Sequence, residues 1–384
     1  MEVWKDPLED SPKTEEPPVK KTNNKRIFFL FAVLVIICGG FIFFYFFWPQ
    51  YELITLESPE GSYGTAEAIN NNDQITGWYK LTNNNFHAFI WDPNTGSRDI
   101  GTLGGKNSYA YDINDKGQVV GRADTTNGFE HAFIWDPVRG MTELVASGGK
   151  KSEAIAINNR GQMVGNYETE DNQTRAFFWD HQNGFVDLGT IYGMGSTAKD
   201  INEHGQVVGH VITPNNKEHA FYWDKVTGMV DLVGINGVTS YATGINNNGQ
   251  VVGHLYDSKT YNYSGFIWEK DKGIINMNLT SLESYANKIN DAGEIIGYLT
   301  ADKFLHLPTR SFYYFRTKLG LVINLKKFTP SKNDNIKVNS INNRGWIVGQ
   351  LDNKRLNPPF QPILLKPKKT IGLGQKISDL FSKL

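Results

Sequence analysis

The chain has 384 residues, of which 40% are hydrophobic and 21% are charged, and its formal net charge is −1. A net charge this close to zero excludes recruitment by a global electrostatic field, so we expect no nucleic-acid partner. The single cysteine, Cys38, excludes internal disulfides and any cysteine metal cluster.

The first 48 residues predict a disordered tail followed by a membrane anchor. Residues 1–26 are polar, contain four prolines and lack an apolar period, which is typical of a disordered cytoplasmic tail. Residues 27–48 carry no charged side chain, and the run is about as long as a membrane-spanning helix requires. Basic residues precede this run and acidic residues follow it, so the positive-inside rule predicts a cytoplasmic N-terminus.

This topology predicts a single-pass protein that contacts the membrane through helix 27–48. The C-terminal domain is then periplasmic or extracellular, and a bacterial inner membrane is the expected location. A cleaved signal peptide is the competing interpretation, but its n-region would be unusually long and no A-x-A site follows. We therefore favour an uncleaved anchor.

An Ile-Asn pair that recurs through residues 51–366 predicts the fold of the main domain. Its asparagines lie at positions 70, 114, 158, 202, 246, 290 and 342, so the first five steps are 44 residues long. Repeats of about 40–45 residues with four short strands are typical of propeller blades. In the second copy the pattern predicts strands at 108–113, 118–123, 131–135 and 141–145.

We therefore expect an all-β, seven-bladed β-propeller of four-stranded blades, preceded by one transmembrane α-helix. An open β-solenoid is the alternative, although its rungs are normally shorter and carry no tryptophan at such long intervals. Residues 51–56 resemble a fourth strand that precedes the first complete copy, whereas the seventh copy lacks a clear fourth strand. The N-terminal segment is thus predicted to close the ring by completing the last blade, which hides two strand edges.

The links between the second and third strands vary from copy to copy, whereas the other turns are short and nearly uniform. In a four-stranded antiparallel blade these links open on one face, here called the loop face, and the uniform turns lie on the opposite turn face. Since loops on a rigid scaffold carry function disproportionately, we expect the binding surface on the loop face. The variable links are Lys80–Phe86, Asp124–Glu130, Glu168–Thr174, Ile212–Glu218, Tyr256–Tyr263, Thr300–Thr309 and Asp352–Pro359.

One residue follows each Gly-Gln-Val-Val-Gly-like segment, and these seven residues form a candidate ligand-facing ring. Each is polar or amphipathic, but the residue type differs from copy to copy although its position in the repeat is constant. A set of residues that contacts a ligand would show this pattern. Ordinary solvent-exposed strand ends would give the same pattern, and both interpretations stay open. The candidate ring consists of Trp78, Arg122, Asn166, His210, His254, Tyr298 and Gln350.

Three copies contain His-Ala-Phe, at residues 87–89, 131–133 and 219–221. Together with the Gly-Gln-Val-Val-Gly segments, these sequences resemble the HAF family of extracellular repeats. The resemblance covers residues 51–366 and weakens in copies five to seven. It implies a bacterial, extracytoplasmic, β-rich repeat domain, and it implies no established reaction or catalytic residues.

No residue pattern predicts catalysis, a cofactor or a metal site. His87, His131 and His219 occupy equivalent third-strand positions of different blades, too far apart for the short bonds of a tetrahedral zinc site. We interpret them as structural residues that bond the neighbouring blade. The Asn- and Asp-rich turns lack the spacing of a calcium loop, and no Walker, G-x-S-x-G or H-E-x-x-H motif is present.

Residues 367–384 have apolar side chains at helical spacing, which predicts an amphipathic C-terminal tail. The whole pattern favours a membrane-anchored, extracytoplasmic propeller that acts as a binding scaffold for a protein or glycan partner. The alternative is a propeller enzyme that acts on carbohydrate or peptide at the channel mouth. Carboxylates or histidines converging at that mouth would favour the enzyme, and a broad aromatic patch across the loops would favour binding.

Overall fold

A computed structural model describes most of the repeat region. The described residues are 50–57, 63–144, 151–234, 237–259, 261–277, 279, 283–300, 312–318, 320–332, 334–352 and 360–368. The strands of this part of the chain form seven antiparallel sheets of four strands each, which confirms the predicted propeller of seven four-stranded blades.

The first three complete blades follow one another in chain order. Blade 1 consists of β2 (Gly64–Ile69), β3 (Ile75–Lys80), β4 (Phe86–Asp92) and β5 (Gly96–Asp99). Blade 2 consists of β6 (Gly104–Ile113), β7 (Val119–Thr125), β8 (Glu130–Asp136) and β9 (Gly140–Leu144). Blade 3 consists of β10 (Ser152–Ile157), β11 (Met163–Glu168), β12 (Thr174–Asp180) and β13 (Gly184–Gly189).

The later blades keep the same order, and a single 3₁₀ turn, η1 (Leu325–Phe328), follows blade 6. Blade 4 consists of β14 (Gly195–Ile201), β15 (Val207–Ile212), β16 (Glu218–Asp224) and β17 (Gly228–Asp231). Blade 5 consists of β18 (Ser240–Ile245), β19 (Val251–Asp257), β20 (Asn262–Glu269) and β21 (Gly273–Asn276). Blade 6 consists of β22 (Ser284–Ile289), β23 (Ile295–Leu299), β24 (Phe312–Arg316) and β25 (Val322–Asn324).

Blade 7 is built from both ends of the repeat region. Its inner strands are β26 (Asn335–Ile341), β27 (Ile347–Asp352) and β28 (Phe360–Pro367), and its outer strand is β1 (Tyr51–Thr55). Strand β1 pairs antiparallel with β28, with Tyr51 opposite Pro367 and Thr55 opposite Ile363. The predicted closure of the ring by the N-terminal segment is thus confirmed.

A glycine in the second strand of every blade lets the first two strands approach closely. A Cβ atom on Gly121 would lie 1.9 Å from the carbonyl oxygen of Tyr109, a distance that no side chain tolerates. The pairing register of these strands shifts beside this contact, between Ala110 and Asp112. This β-bulge explains why the segment ends in glycine, since only glycine fits against the bulged strand.

The conserved geometry of the Ile-Asn pair arises from a closed ring of hydrogen bonds, here called the asparagine ring. Each asparagine Nδ2 donates to the main-chain carbonyl of the equivalent asparagine in the next blade, at 2.8 to 3.0 Å. The cycle ends where Asn342 donates to Asn70, so every junction between blades has the same bond. Its members are Asn70, Asn114, Asn158, Asn202, Asn246, Asn290 and Asn342.

Each asparagine also organises the turn that follows it. In blade 2 the Oδ1 atom of Asn114 accepts hydrogen bonds from the main-chain N–H groups of Lys116 and Gln118. All seven asparagines are 3 to 4% exposed, so these bonds satisfy polar groups that burial would otherwise penalise. The Ile-Asn pair is therefore a structural device that joins blades and shapes turns.

The core lies between the blades, where a third-strand tryptophan packs against the blade before it. Trp135 of blade 2 shares an apolar cluster with Ile90 of blade 1. The ring centroids of Trp223 and Phe178 are 5.6 Å apart, and those of Trp268 and Tyr222 are 5.5 Å apart. These residues, here called the junction tryptophans, are Trp91, Trp135, Trp179, Trp223 and Trp268.

Three predicted segments fall outside the described residues, namely the tail 1–26, the anchor helix 27–48 and residues 369–384 of the C-terminal tail. Most of the predicted variable links at 300–309 and 352–359 lies outside them as well. Among the described residues, no helix has the length and apolar character needed to cross a membrane.

Candidate functional site

The candidate ring lies on the second strands, at equivalent heights in the seven blades. Each member pairs directly with a first-strand residue; Arg122 is opposite Tyr109 and His254 is opposite Tyr241. Asn166 is buried and the other six are half-buried. The ring residues therefore lie in the junctions between blades, close to the loop face, rather than as freely exposed strand ends.

Several ring members make polar contacts that fix their orientation. The indole Nε1 of Trp78 donates to Glu67 at 3.1 Å, and Arg122 donates to Glu130 at 2.8 Å. The Oδ1 atom of Asn166 accepts from the main-chain N–H of Ala198 in the next blade, at 2.8 Å. The first two bonds lie within one blade and the third joins blades 3 and 4, and a role in ligand contact stays a prediction.

Two ring members, His254 and Tyr298, belong to an aromatic cluster on blades 5 and 6 that the sequence analysis did not identify. His254 stacks on Tyr241 with ring centroids 4.9 Å apart, and Tyr298 lies 4.9 Å from Tyr313. Neighbouring rings are 4.9 to 6.2 Å apart, within the range of favourable aromatic pairs. This aromatic cluster consists of Tyr241, His254, Tyr256, Tyr263, Tyr285, Tyr298 and Tyr313.

Strand pairing holds these rings in place. Tyr256 is directly opposite Tyr263, and Tyr298 is opposite both Tyr285 and Tyr313. Side chains opposite one another project from the same face of a sheet, so the rings form a continuous surface. All seven are half-buried, which leaves part of each ring accessible on the loop-face side.

Burial holds His254, Tyr241 and Tyr285 of the aromatic cluster in their uncharged forms near neutral pH. Burial lowers the pKa of His254 to about 4. His210, whose ring centroid lies 5.2 Å from that of Tyr241, borders the cluster, and burial followed by the charge of Lys199 lowers its pKa to about 4. Burial and the adjacent Glu218 raise the pKa of Tyr241, while burial and Glu283 raise that of Tyr285. Both tyrosine hydroxyls are hydrogen-bonded to these carboxylates, so the cluster offers mainly ring faces to a partner.

A second aromatic group surrounds Trp78 where blades 7, 1 and 2 meet. Phe86 lies 5.5 Å from Trp78 and 5.7 Å from Tyr109, between ring centroids. Tyr63 contacts both Phe86 and Phe360 of blade 7. The loop face thus carries two separate aromatic surfaces.

The central channel contains three charged side chains at one position of the first strand, two residues before the asparagine. Blades 2, 4 and 6 place Asp112, Asp200 and Lys288 there, whereas the other blades have small residues. Lys288 Nζ lies 2.9 Å from Asp200 Oδ1. Main-chain N–H groups of the adjacent blades donate to both carboxylates, at 2.9 Å in each case.

The channel charges shift each other's protonation. Burial raises the pKa of Asp112 to about 6, although the nearby ammonium group of Lys288 opposes that change. Burial disfavours the charged form of Lys288, but Asp200 and Asp112 outweigh it and raise the pKa of the lysine. The bulge in the first strand obscures which side chains face the channel, so the sequence pattern does not point to these residues.

The histidines of the His-Ala-Phe segments make structural contacts, but with a different partner than predicted. His87 Nδ1 lies 2.7 Å from Asp99, and His219 Nδ1 lies 2.8 Å from Asp231. His131 contacts Glu143 in the same way. Each acid is on the fourth strand of the same blade, so the predicted bond to a neighbouring blade is wrong. Burial opposes ionisation of Asp99, but hydrogen bonds from His87 and other donors lower its pKa.

No group of three histidine, cysteine, aspartate or glutamate side chains is arranged to hold a metal ion within the described ranges. The conserved chemistry of the histidine position is instead a pairing with an acid twelve residues later. Arg175 replaces histidine in blade 3 and pairs with Asp187 at 3.4 Å, which preserves the same contact.

Comparison with known sequences finds similarity to one family, described as a protein of unknown function (DUF3466). The match covers residues 49–143 and 193–283, which is just under half of the chain. No curated protein matches the sequence. The findings do not include the HAF repeats, so that resemblance stays an expectation from the motifs.

Comparison with solved structures supports the fold. The β-propeller domain of the trilobed protease from Pyrococcus furiosus, described as having an open velcro topology, is 10% identical with a TM-score of 0.54. The match covers 81% of this chain and 95% of that one. The acylaminoacyl peptidase of Pyrococcus horikoshii is 13% identical with the same TM-score. That match covers 84% of this chain and 54% of the peptidase, so the chain spans about half of the peptidase's length.

Proposed function

We propose that the chain is a membrane-anchored, extracytoplasmic β-propeller that binds a protein partner through the aromatic cluster of blades 5 and 6. The observation that carries this proposal is the set of seven contiguous, half-buried rings beside the loop face. Tyrosine is enriched in the energetically dominant parts of protein interfaces, because it buries a large area with few rotatable bonds. The proposed membrane anchor rests on the sequence of residues 27–48.

The fixed geometry of the rings favours a protein over a glycan as the partner. Cross-strand pairing already orders the side chains, so binding loses little conformational entropy. The hydroxyls of Tyr241 and Tyr285 are occupied by Glu218 and Glu283, which leaves fewer polar groups to bond sugar hydroxyls. A glycan partner would need such bonds in addition to stacking.

Site-specific photo-crosslinking in the native membrane tests this proposal. A photoreactive residue at Tyr261, which is 68% exposed in the loop next to the cluster, should give a discrete protein adduct. The same group at Val226, which is 94% exposed in a turn on the opposite face, is the matched control and should give none. The double variant Tyr263→Ala and Tyr285→Ala should abolish the adduct at position 261.

Equal adducts at both positions, or an adduct that survives the double variant, would contradict binding by the cluster. If the full-length protein gives no protein adduct but binds a glycan array in a Tyr263-dependent manner, the partner is a glycan instead. In the crosslinking and the glycan-binding experiments alike, circular dichroism must show that the double variant keeps its β-structure.

A second candidate function is catalysis on carbohydrate or peptide within the channel. The carboxyl group of Asp112 supports it, since a pKa of about 6 suits a general acid near neutral pH. Turnover of model glycosides or peptides that is lost in Asp112→Asn would favour this function. Binding without turnover would favour the scaffold.

A further inference from the structure

Blade 6 breaks the pattern of junction tryptophans. In blade 6, Arg316 of β24 pairs with Ile295. The equivalent pair in blade 5 is Trp268 with Val251, so Arg316 occupies the position of a junction tryptophan. In the preceding junctions, the junction tryptophan covers a third-strand residue of the blade before it, and that residue is buried. Ile134 of blade 2 and Phe178 of blade 3 are examples, with 9% and 1% exposure. Their equivalent in blade 5, Ile267, is only half-buried. The missing indole therefore leaves space between blades 5 and 6.

That space is a groove with a volume of about 740 Å³, open on the turn face. Its apolar wall includes Tyr222, Ile267 and Trp268, and Arg316 lies at its blade 6 side. Pockets that bind small molecules typically have volumes of about 300 to 1,000 Å³ and combine apolar walls with a few polar groups. The groove thus has the size of a small-molecule site, with polar and charged side chains facing a shorter apolar wall.

Three cationic side chains of the groove have no anionic partner among the described residues. Arg316, Lys270 and Lys318 make no ion pair in this part of the chain, and Arg316 is half-buried. The acidic groups are mostly engaged. Glu269 pairs with Lys272 and accepts from Gln250, and Asp291 accepts from neighbouring asparagines.

The remaining acid, Asp271, lies exposed at the rim of the groove. A half-buried guanidinium with free donors is best satisfied by an oxyanion, because its planar fork matches a carboxylate or phosphate with two parallel hydrogen bonds.

We infer that the groove between blades 5 and 6 binds a small molecule that carries a carboxylate or phosphate group on a flat apolar body. Arg316 binds the anionic group, and Tyr222, Ile267 and Trp268 contact the apolar part. The site is on the opposite face from the aromatic cluster and is independent of the proposed partner binding.

Calorimetric titration of the full-length protein with phenyl phosphate and with benzoate tests this site. Phenyl phosphate should bind with a dissociation constant of about 1 mM or lower, as its size permits. Inorganic phosphate lacks the ring and phenol lacks the charge, so each should bind at least about tenfold more weakly. Benzoate binding close to that of phenyl phosphate would identify the carboxylate as an equally good anionic group.

Two variants of Arg316 test separately how the contact with the anionic group and the open groove contribute to binding. Arg316→Gln should weaken phenyl phosphate binding by about tenfold or more, because a charged hydrogen-bond donor is lost. Arg316→Trp should abolish binding, because the indole occupies the groove. Arg98→Gln is the matched control, since Arg98 lies over Trp135 at another junction. Absence of phenyl phosphate binding in the wild type, or unchanged affinity in Arg316→Gln, would overturn the inference.

Discussion

The two junctions on either side of blade 6 show how the same defect in the repeat has different consequences. Neither blade 6 nor blade 7 has a junction tryptophan, because Arg316 and Leu365 occupy its position. At the junction of blades 6 and 7, Tyr51 packs against Phe315 and Phe328, with ring centroids 5.8 and 5.3 Å apart. Phe315 is consequently 2% exposed. At the junction of blades 5 and 6, no comparable ring among the described residues covers Ile267, and a groove remains.

Ring closure does more than pair two strands. Strand β1 carries Tyr51, which is 6% exposed and donates from its hydroxyl to the carbonyl of Gly345 at 3.1 Å. Burial, followed by the charge of Glu294, raises the pKa of this hydroxyl, so it stays protonated as a donor. A side chain of the closing strand β1 thus replaces an indole that the repeat does not supply.

The largest expected effect is the loss of the closing side chain. Tyr51→Ala should lower the free energy of unfolding by about 3 to 4 kcal/mol, because it removes a buried aromatic ring and leaves a cavity. Chemical denaturation measures this change. Tyr51→Phe retains the ring and loses one hydrogen bond, so it should cost only about 1 kcal/mol. Similar stability of Tyr51→Ala and wild type would show that packing at this junction is not what closes the ring.

The next largest expected effect is a change in stability with pH, which arises from charge and not from packing. Burial raises the pKa of Asp112 from 3.8 to about 6, so folding favours the protonated carboxyl group. Its contribution to the free energy of unfolding is complete below about pH 4 and is lost as the pH rises through 6. Asp112→Asn cannot ionise, so the stability of wild type relative to this variant should fall by about 2 to 3 kcal/mol between pH 4 and 7. Urea denaturation across this range measures the difference.

The difference between Tyr51→Ala and wild type should stay nearly constant over the same pH range, since it arises from packing. A parallel pH dependence for both variants would instead point to a charge effect that the junctions share.

The smallest expected effect is a gain in stability. Arg316→Trp restores the repeat and fills the open groove, so it should raise the free energy of unfolding by about 1 kcal/mol. The measurement is the denaturation midpoint of Arg316→Trp relative to wild type. Destabilisation would mean that the backbone at this junction does not accept an indole, which would break the equivalence between Arg316 and the tryptophans.

The sequence determined much of this fold because its period is regular. The 44-residue spacing of the Ile-Asn pair gave the number of blades, and the strand-like segment at residue 51 indicated the closure. In blade 2 the predicted strand at 108–113 begins four residues later than the observed β6, because the bulged pairing extends to Gly104. Local patterns do not specify such irregular pairing.

The site was harder to predict because its contacts join distant parts of the chain. Tyr241, Tyr263 and Tyr298 are far apart in sequence and meet only through strand pairing and blade packing. The change from tryptophan to Arg316 is visible in the sequence, but its consequence depends on knowing that the indole packs against the preceding blade. Asp112 and Lys288 meet across the channel, 176 residues apart in sequence, and no local pattern predicts that proximity.

The asparagine ring has a consequence for where the propeller first opens. All seven side-chain bonds run in one rotational direction, and opening any junction breaks one such bond. The ring therefore has no end and gives no junction an advantage over another. The first junction to open is then set by the packing outside the ring, and between blades 5 and 6 that packing leaves a groove. We expect thermal opening of the closed ring to begin at that junction, although the chain is continuous there and the strands that close the ring, β1 and β28, pair in blade 7.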